Sequence, residues 1–162
     1  MGLDQYLHAK CFTSPSDFWG KDTNELFSTL STLDGVKEVI DDYLPSVSLE
    51  VKVAQWRKSN QVHQWFVDNV QDGKDDCKQY HVSRLELTEL RDLCVSVLAD
   101  HSLAKKLLPS TEGFFYGSTD YDEYYFQDLT FTAERLSEIL GKIPEYNEAK
   151  PLMWDFYYSS SW

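Results

Sequence analysis

The sequence predicts an α+β fold: a small antiparallel or mixed sheet packed with three to four helices, in a single domain spanning residues 1–162. Three observations predict it. Ser48 to Trp56 alternates, with Leu49, Val51 and Val53 facing one way and Glu50 and Lys52 the other. Ser83 opens a helix with a capping box to Glu86, followed by an apolar stripe of Leu87, Leu90, Cys94 and Val97. Strand-like and helix-like segments follow in mixed order, with no regular βαβ repeat. A chain of 162 residues is long enough for one proper core, whereas two domains would each be near the practical minimum.

The remaining elements are read in chain order. Leu3 to Phe12 mixes apolar and polar residues as a strand does. Thr13 to Thr23 carries Ser14-Pro15-Ser16 and Gly20 and reads as a loop. Asn24 to Tyr43 is helical in part: Leu26, Leu30 and Leu33 precede a break at Gly35, and Val36, Val39 and Ile40 follow it. Pro45 closes that segment. Arg57 to Val70 reads as a helix with Val62, Trp65, Phe66 and Val70 on its apolar face. Gln71 to Lys78 is a turn, and Tyr80 to Val82 a short strand.

His101 to Leu108 extends or follows the Ser83 helix, and Pro109 ends it. Phe114 to Gly117 reads as a strand. The last helix is expected to begin at Asp128 or Thr130, with Leu129, Leu136, Ile139 and Leu140 inward. Gly141 is expected as its C′ residue and Pro144 as its stop. The aromatic tail from Trp154 to Tyr158 reads as an edge strand.

Composition narrows function. The net charge is −12 and the sequence pI near 4.6, so direct nucleic-acid binding through a basic patch is not expected. An acidic chain suits basic partners, and it also suits simple solubility. The three cysteines, Cys11, Cys77 and Cys94, are odd in number and lack a CxxC, which points to a reducing compartment. There is no signal-peptide pattern and no apolar run of membrane-spanning length. A cytoplasmic protein without membrane attachment is the expectation.

Two clusters carry possible chemistry. Trp56-Arg57-Lys58-Ser59-Asn60, with His63 and Trp65 a turn later, concentrates positive charge where a helix would begin. Arg57, Lys58, Asn60 and His63 can then grip a phosphate or carboxylate, and Trp56 or Trp65 can stack on a base. The plainer alternative is that Arg57 and Lys58 pair with surface carboxylates and His63 packs in the core.

The second cluster lies in Gly113 to Tyr125, where six aromatic side chains are interleaved with three carboxylates, two glycines and two hydroxyls. Tyr116, Ser118, Asp120, Tyr121, Asp122, Glu123 and Tyr124 are the candidate interaction surface, because aromatics supply large rigid contacts and carboxylates supply orientation. Helix capping by Asp120 or Asp122 is the alternative role for those acids. A metal site is not expected: Cys77 and His81, with or without Asp75 or Asp76 beside them, are spaced to supply two ligands where structural zinc takes four. No cofactor is expected, and no motif for nucleophilic catalysis or phosphate cradling occurs.

These blocks resemble a family of small uncharacterised proteins of bacteriophages and prophages. The likeness rests on Met1-Gly2-Leu3-Asp4-Gln5-Tyr6-Leu7 and on Trp56-Arg57-Lys58-Ser59-Asn60-Gln61-Val62-His63-Gln64-Trp65-Phe66-Val67. It extends to Asp76-Cys77, Tyr80, Val82-Ser83 and Gly113 to Tyr125. The resemblance implies a viral accessory gene expressed in a host bacterial cytoplasm, a class that often encodes inhibitors of host defence. On that basis the chain is expected to be a binding protein that counters a host system. It would occlude a host protein or sequester a phosphate-bearing nucleotide signal. The alternatives are a nucleotide phosphoesterase or hydrolase, with His63 as acid or base and a metal on Asp120 or Asp122, and an acidic DNA mimic. Binding is favoured over turnover because the possible metal ligands are too few. Pairing of the aromatic tail across a two-fold axis favours a homodimer over a monomer.

Overall fold

A computed structural model describes residues 2–15, 21–40, 45–143, 145 and 152–162. Residues 16–20 of the expected Thr13–Thr23 loop, the end of the expected 24–43 helical segment and the Pro144 stop lie outside the described residues, and residues 21–23, expected in that loop, begin the first helix instead. The fold is α+β, with a four-stranded antiparallel sheet. The elements are β1 (Asp4–Thr13), α1 (Lys21–Ser31), β2 (Val47–Arg57), α2 (Asn60–Asn69), β3 (Tyr80–Val82), α3 (Arg84–Ala99), a 3-10 turn (His101–Leu103), α4 (Ala104–Leu107), α5 (Glu123–Lys142) and β4 (Trp154–Ser161). The strand order is β2-β1-β4-β3. β3 and β4 pair antiparallel with Tyr80 opposite Tyr158 and Val82 opposite Phe156.

The chain packs as two compact units. One comprises Met1–His8, Lys52–Ile143 and Phe156–Trp162, the other Ala9–Val51 and Pro144–Asp155. In the larger unit, α3 packs along α5. Leu87, Leu90, Cys94 and Val97 of α3 are buried, as their spacing predicts, and so are Leu129, Leu136 and Ile139 of α5. The Ser83–Glu86 capping box is present in both directions, so two orphan amides at the start of α3 are satisfied by side chains. Phe66 of α2 stacks on Tyr158 of β4 with ring centroids 3.8 Å apart, and both are fully buried.

In the smaller unit, Phe27 of α1 is buried while Leu33 and Val39 stand exposed. Gly35 takes φ +84° in the turn that follows α1, a conformation that suits glycine. Lys10 and Glu50 form an ion pair at 3.1 Å. A cleft of about 390 Å³ is lined by Pro15, Phe27, Ser31, Lys37, Ile40 and Pro45.

Several expectations are corrected. Val51 is half exposed although Val53, on the same side of β2, is buried, and the alternation breaks further on, where Val53 and Ala54 are both buried, followed by Trp56. Phe114 to Gly117 is a turn closed by Tyr116 N–H donating to the Gly113 carbonyl at 3.1 Å, so it is not a strand. α5 starts at Glu123, five residues before Asp128, because the Asp122 carboxylate accepts from the Tyr125 amide and caps it there. α5 also runs through Gly141. Its last carbonyls are taken by the Arg84 guanidinium, which donates to Leu140 at 2.9 Å and to Ile143, so a glycine C′ turn is not needed. β4 is not an edge strand; it lies between β1 and β3. The pairing argument for a homodimer loses its basis with that placement.

A candidate functional site: a braced aromatic loop above a buried histidine

All the residues of this site belong to the larger unit. β2 ends at Arg57, and Lys58 turns the chain with φ +59°, so that α2 begins at Asn60 with Ser59 as its N-cap. Gln5 of β1 brackets this corner. Its amide donates to the Ser59 carbonyl at 3.0 Å and its carbonyl accepts from the Ser59 N–H at 3.2 Å. The strand-to-helix corner is therefore a fixed point on which the following residues are aimed.

Asn60 points inward and holds the loop that precedes α5. Its Nδ2 donates to the carbonyls of Ser118 at 2.8 Å and Tyr116 at 3.3 Å, and its Oδ1 accepts from the Thr111 amide at 2.9 Å. The base of the loop is closed by two tyrosines: Tyr125 donates to the Leu108 carbonyl at 2.7 Å, and Tyr121 oxygen accepts from the Ser110 amide at 3.1 Å. The Leu3 amide donates to the Phe115 carbonyl at 3.0 Å. A loop with its backbone tied at so many points is held in one conformation.

His63, one turn further along α2, is fully buried. Its Nδ1 lies 2.8 Å from the Tyr158 hydroxyl, and its Nε2 lies 3.2 Å from Asp75 Oδ2 and 3.2 Å from the Tyr116 hydroxyl. An ionised carboxylate only accepts, so Nε2 carries the proton and Nδ1 accepts from Tyr158. Burial lowers the His63 pKa, against hydrogen bonding and charge from Asp75, so the imidazole is neutral at pH 7. Asp75 also accepts from Tyr116 on Oδ2 and from Trp162 Nε1 on Oδ1 at 3.1 Å. Burial alone would raise the Asp75 carboxyl, but hydrogen bonds from Tyr116, Trp162 and His63 outweigh it and hold the group below its ordinary value. The Tyr116 and Tyr158 hydroxyls are pushed up, chiefly by burial, and stay protonated.

Above this network the turn exposes aromatic area. Phe114 is 95% exposed at its tip. Its ring meets Phe115 edge to face at 4.8 Å, and Phe115 lies near-parallel to Trp162 at 6.3 Å. Trp162 is itself 47% exposed. Phe114, Phe115 and Trp162 thus form one aromatic patch whose inner edge is fixed to Asp75.

The first predicted cluster is divided by this arrangement. Trp56 is buried and its indole donates to Thr132 at 2.8 Å; Trp65 is buried edge-on against Phe66. Asn60 and His63 are occupied internally as described. Only Arg57 and Lys58 reach solvent, Arg57 lying 3.6 Å from Asp4. The Lys58 side chain passes Gly2 and Gly117, where a Cβ would stand 2.9 Å and 3.2 Å from its carbons. The start of α2 already faces a carboxylate of this chain, Asp128, to which the Gln61 amide donates at 3.4 Å. The six residues therefore do not converge on one ligand.

In the second cluster the acids act locally. Asp122 caps α5, Glu123 accepts from Gln127 at 2.9 Å, and Asp120 exchanges hydrogen bonds with Ser118. Tyr121 is half buried, with the Lys105 ammonium 5.7 Å from its ring centre, while Tyr124 is 76% exposed. Among the described residues no three His, Cys, Asp or Glu side chains come together to hold a metal ion. Asp75 entered the sequence reading only as a possible metal ligand beside Cys77 and His81, and Tyr158, Phe114, Phe115 and Trp162 were not among its named site residues. Phe114 and Phe115 were within reach of that reading, as adjacent aromatics between glycines in the densest aromatic run.

No protein-family model, curated protein or solved structure matches the chain. No helix of the described residues is long and apolar enough to cross a membrane.

Proposed function

We propose that this is a non-catalytic, phage-encoded binding protein that occludes a host protein in the bacterial cytoplasm, using the aromatic face of Phe114, Phe115 and Trp162. The observation that carries the reading is a 95% exposed phenylalanine on a loop braced by Asn60, Tyr116, Tyr121 and Tyr125. Free apolar surface on a fixed backbone loses little entropy on binding, which is what a recognition loop needs. The phage origin and the host partner rest on the family resemblance.

Sequestration of a nucleotide has less support, since Trp56, Trp65, Asn60 and His63 face inward and leave Arg57 and Lys58 to act alone. Hydrolysis has less still. Asp75, His63 and Tyr158 have the order of an acid–base relay, but the imidazole and the Tyr158 ring are wholly buried, out of reach of a substrate.

The test is affinity capture from host lysate with the wild type, with Phe114→Ala and with Leu85→Ala, an exposed apolar control on α3. A host protein held by the wild type and by Leu85→Ala, and lost with Phe114→Ala, supports the reading. A partner retained equally by all three overturns it.

A further inference from the structure

We infer that the aromatic face receives an arginine side chain of the partner protein, its guanidinium stacked against Trp162 and donating to Asp75. This deepens the proposed function and rests on it. The argument begins with charge. The three groups that hydrogen-bond Asp75, namely Tyr116, Trp162 and neutral His63, are all uncharged donors. They stabilise the carboxylate without cancelling it. Among the described residues no lysine or arginine pairs with Asp75, although its neighbour Asp76 pairs with Lys78 at 2.6 Å. One negative charge is thus left unneutralised at the foot of an exposed aromatic patch, with the Asp75 side chain still 23% exposed.

The acceptor count agrees. Oδ2 takes Tyr116 and His63, while Oδ1 takes only Trp162, which leaves Oδ1 one lone pair for an incoming N–H. The indole that donates to Oδ1 lies beside that lone pair and is half open to solvent. A planar cation that can stack on an aromatic face while donating at its edge satisfies both demands. Guanidinium is planar and weakly hydrated, whereas an ammonium is compact and strongly hydrated. The run from Glu112 to Tyr125 itself contains no basic residue, although the Lys58 side chain passes it at Gly117.

The experiment titrates the 162-residue protein with two acetylated and amidated tripeptides, Gly-Arg-Gly and Gly-citrulline-Gly. Citrulline keeps the shape and loses the charge. The readout is the Trp162 indole N–H resonance, assigned by its loss in Trp162→Phe. The expected result is a saturable shift with the arginine peptide and a half-saturation at least about fivefold higher with citrulline. Asp75→Asn should remove that difference; should this variant unfold, the wild-type comparison still decides. Equal shifts with both peptides, or arginine-induced shifts spread over the acidic surface but sparing Trp162, would overturn the inference. A host protein lost on Phe114→Ala together with equal peptide shifts sinks the arginine seat and leaves the protein-binding reading standing. An arginine-selective shift with no captured protein does the reverse.

Discussion

A Cβ on Gly113 would stand 2.5 Å from Cγ of Tyr116. The Tyr116 ring lies directly over the Gly113 α-carbon, and this contact lets the turn fold back far enough for the Tyr116 hydroxyl to reach Asp75. The requirement is steric, since Gly113 is not among the residues with positive φ. Gly113→Ala is therefore expected to push the ring off Asp75 and to cost about 1–3 kcal/mol, as overpacking does. Urea unfolding measures the cost, and capture of the partner should fall with it. Unchanged stability would mean that the ring is free to move.

Asn60→Ala should be more damaging than its position in the Arg57–His63 block suggests. It leaves the Thr111 amide without its acceptor and two loop carbonyls without their donor. About 2–4 kcal/mol is expected from groups left unsatisfied at a part-buried site. The loop should also exchange its amide hydrogens faster from Thr111 to Ser118. Hydrogen exchange that changes across the whole protein, with no excess in the loop, would assign Asn60 a general role in packing instead.

How much of this was legible in the sequence depends on how local each signal was. The Ser83–Glu86 box, the α3 stripe and the ends of β2 were readable, because each is set by spacing within a few residues. The start of α5 was placed too late, although capping by Asp122 was weighed, because the apolar spacing of Leu129, Leu136, Ile139 and Leu140 begins only after the first turn, where Tyr125 turns inward and Tyr124 stays exposed. The His63 network was not readable. Asp75, Tyr116 and Tyr158 lie in separate parts of the chain, and Asp75 sits in a turn where Asp72 and Gly73 both take positive φ. Nothing in the spacing of a turn says which distant histidine it will meet. The same applies to Asn60, whose neighbourhood with Arg57 and Lys58 suggested a shared ligand, while the corner at Lys58 sends it inward.

Stability should depend on pH through His63 first. Its folded pKa is lowered by burial from the ordinary 6.5, so below that value the unfolded chain takes up a proton before the folded one does. Stability is then lost as pH falls from 6.5 toward the lower folded value. Asp75, also lowered, contributes stability above 3.8 that is lost only in stronger acid. Asp128, raised by burial against the hydrogen bond from Gln61, works in the opposite direction, since its ionisation is relieved as pH falls. The comparison that isolates His63 is wild type against His63→Gln, by urea midpoint at pH 7.5, 6.0 and 5.0. The variant should be less stable at pH 7.5 and show a shallower decline; parallel curves would remove His63 from the acid response.

The thiols should separate cleanly. Cys77 is exposed, whereas Cys11 and Cys94 are buried. Burial pushes the Cys94 thiol up to about 12 and, with the charge of Asp155, also raises Cys11. A thiol reagent at pH 7.5 should modify one cysteine in the native protein and all three in urea, with mass spectrometry placing the native label on Cys77. Rapid native labelling at Cys94 would mean that α3 and α5 part readily.

The position of β4 has a consequence for how the chain is made. The strand that lies between β1 and β3 is the last of the four to be synthesised, so the sheet cannot close until residues 154–161 have left the ribosome. Until then β1 waits with one side unpaired and β3 has no partner, and Phe66 lacks the Tyr158 ring that covers it. Pairing across so long a stretch of chain is slow, and unpaired strands invite other chains to pair with them. Ribosome-bound chains stopped before Trp154 should therefore be sensitive to protease and prone to aggregate, and resistance should appear once residues 154–161 have emerged and paired.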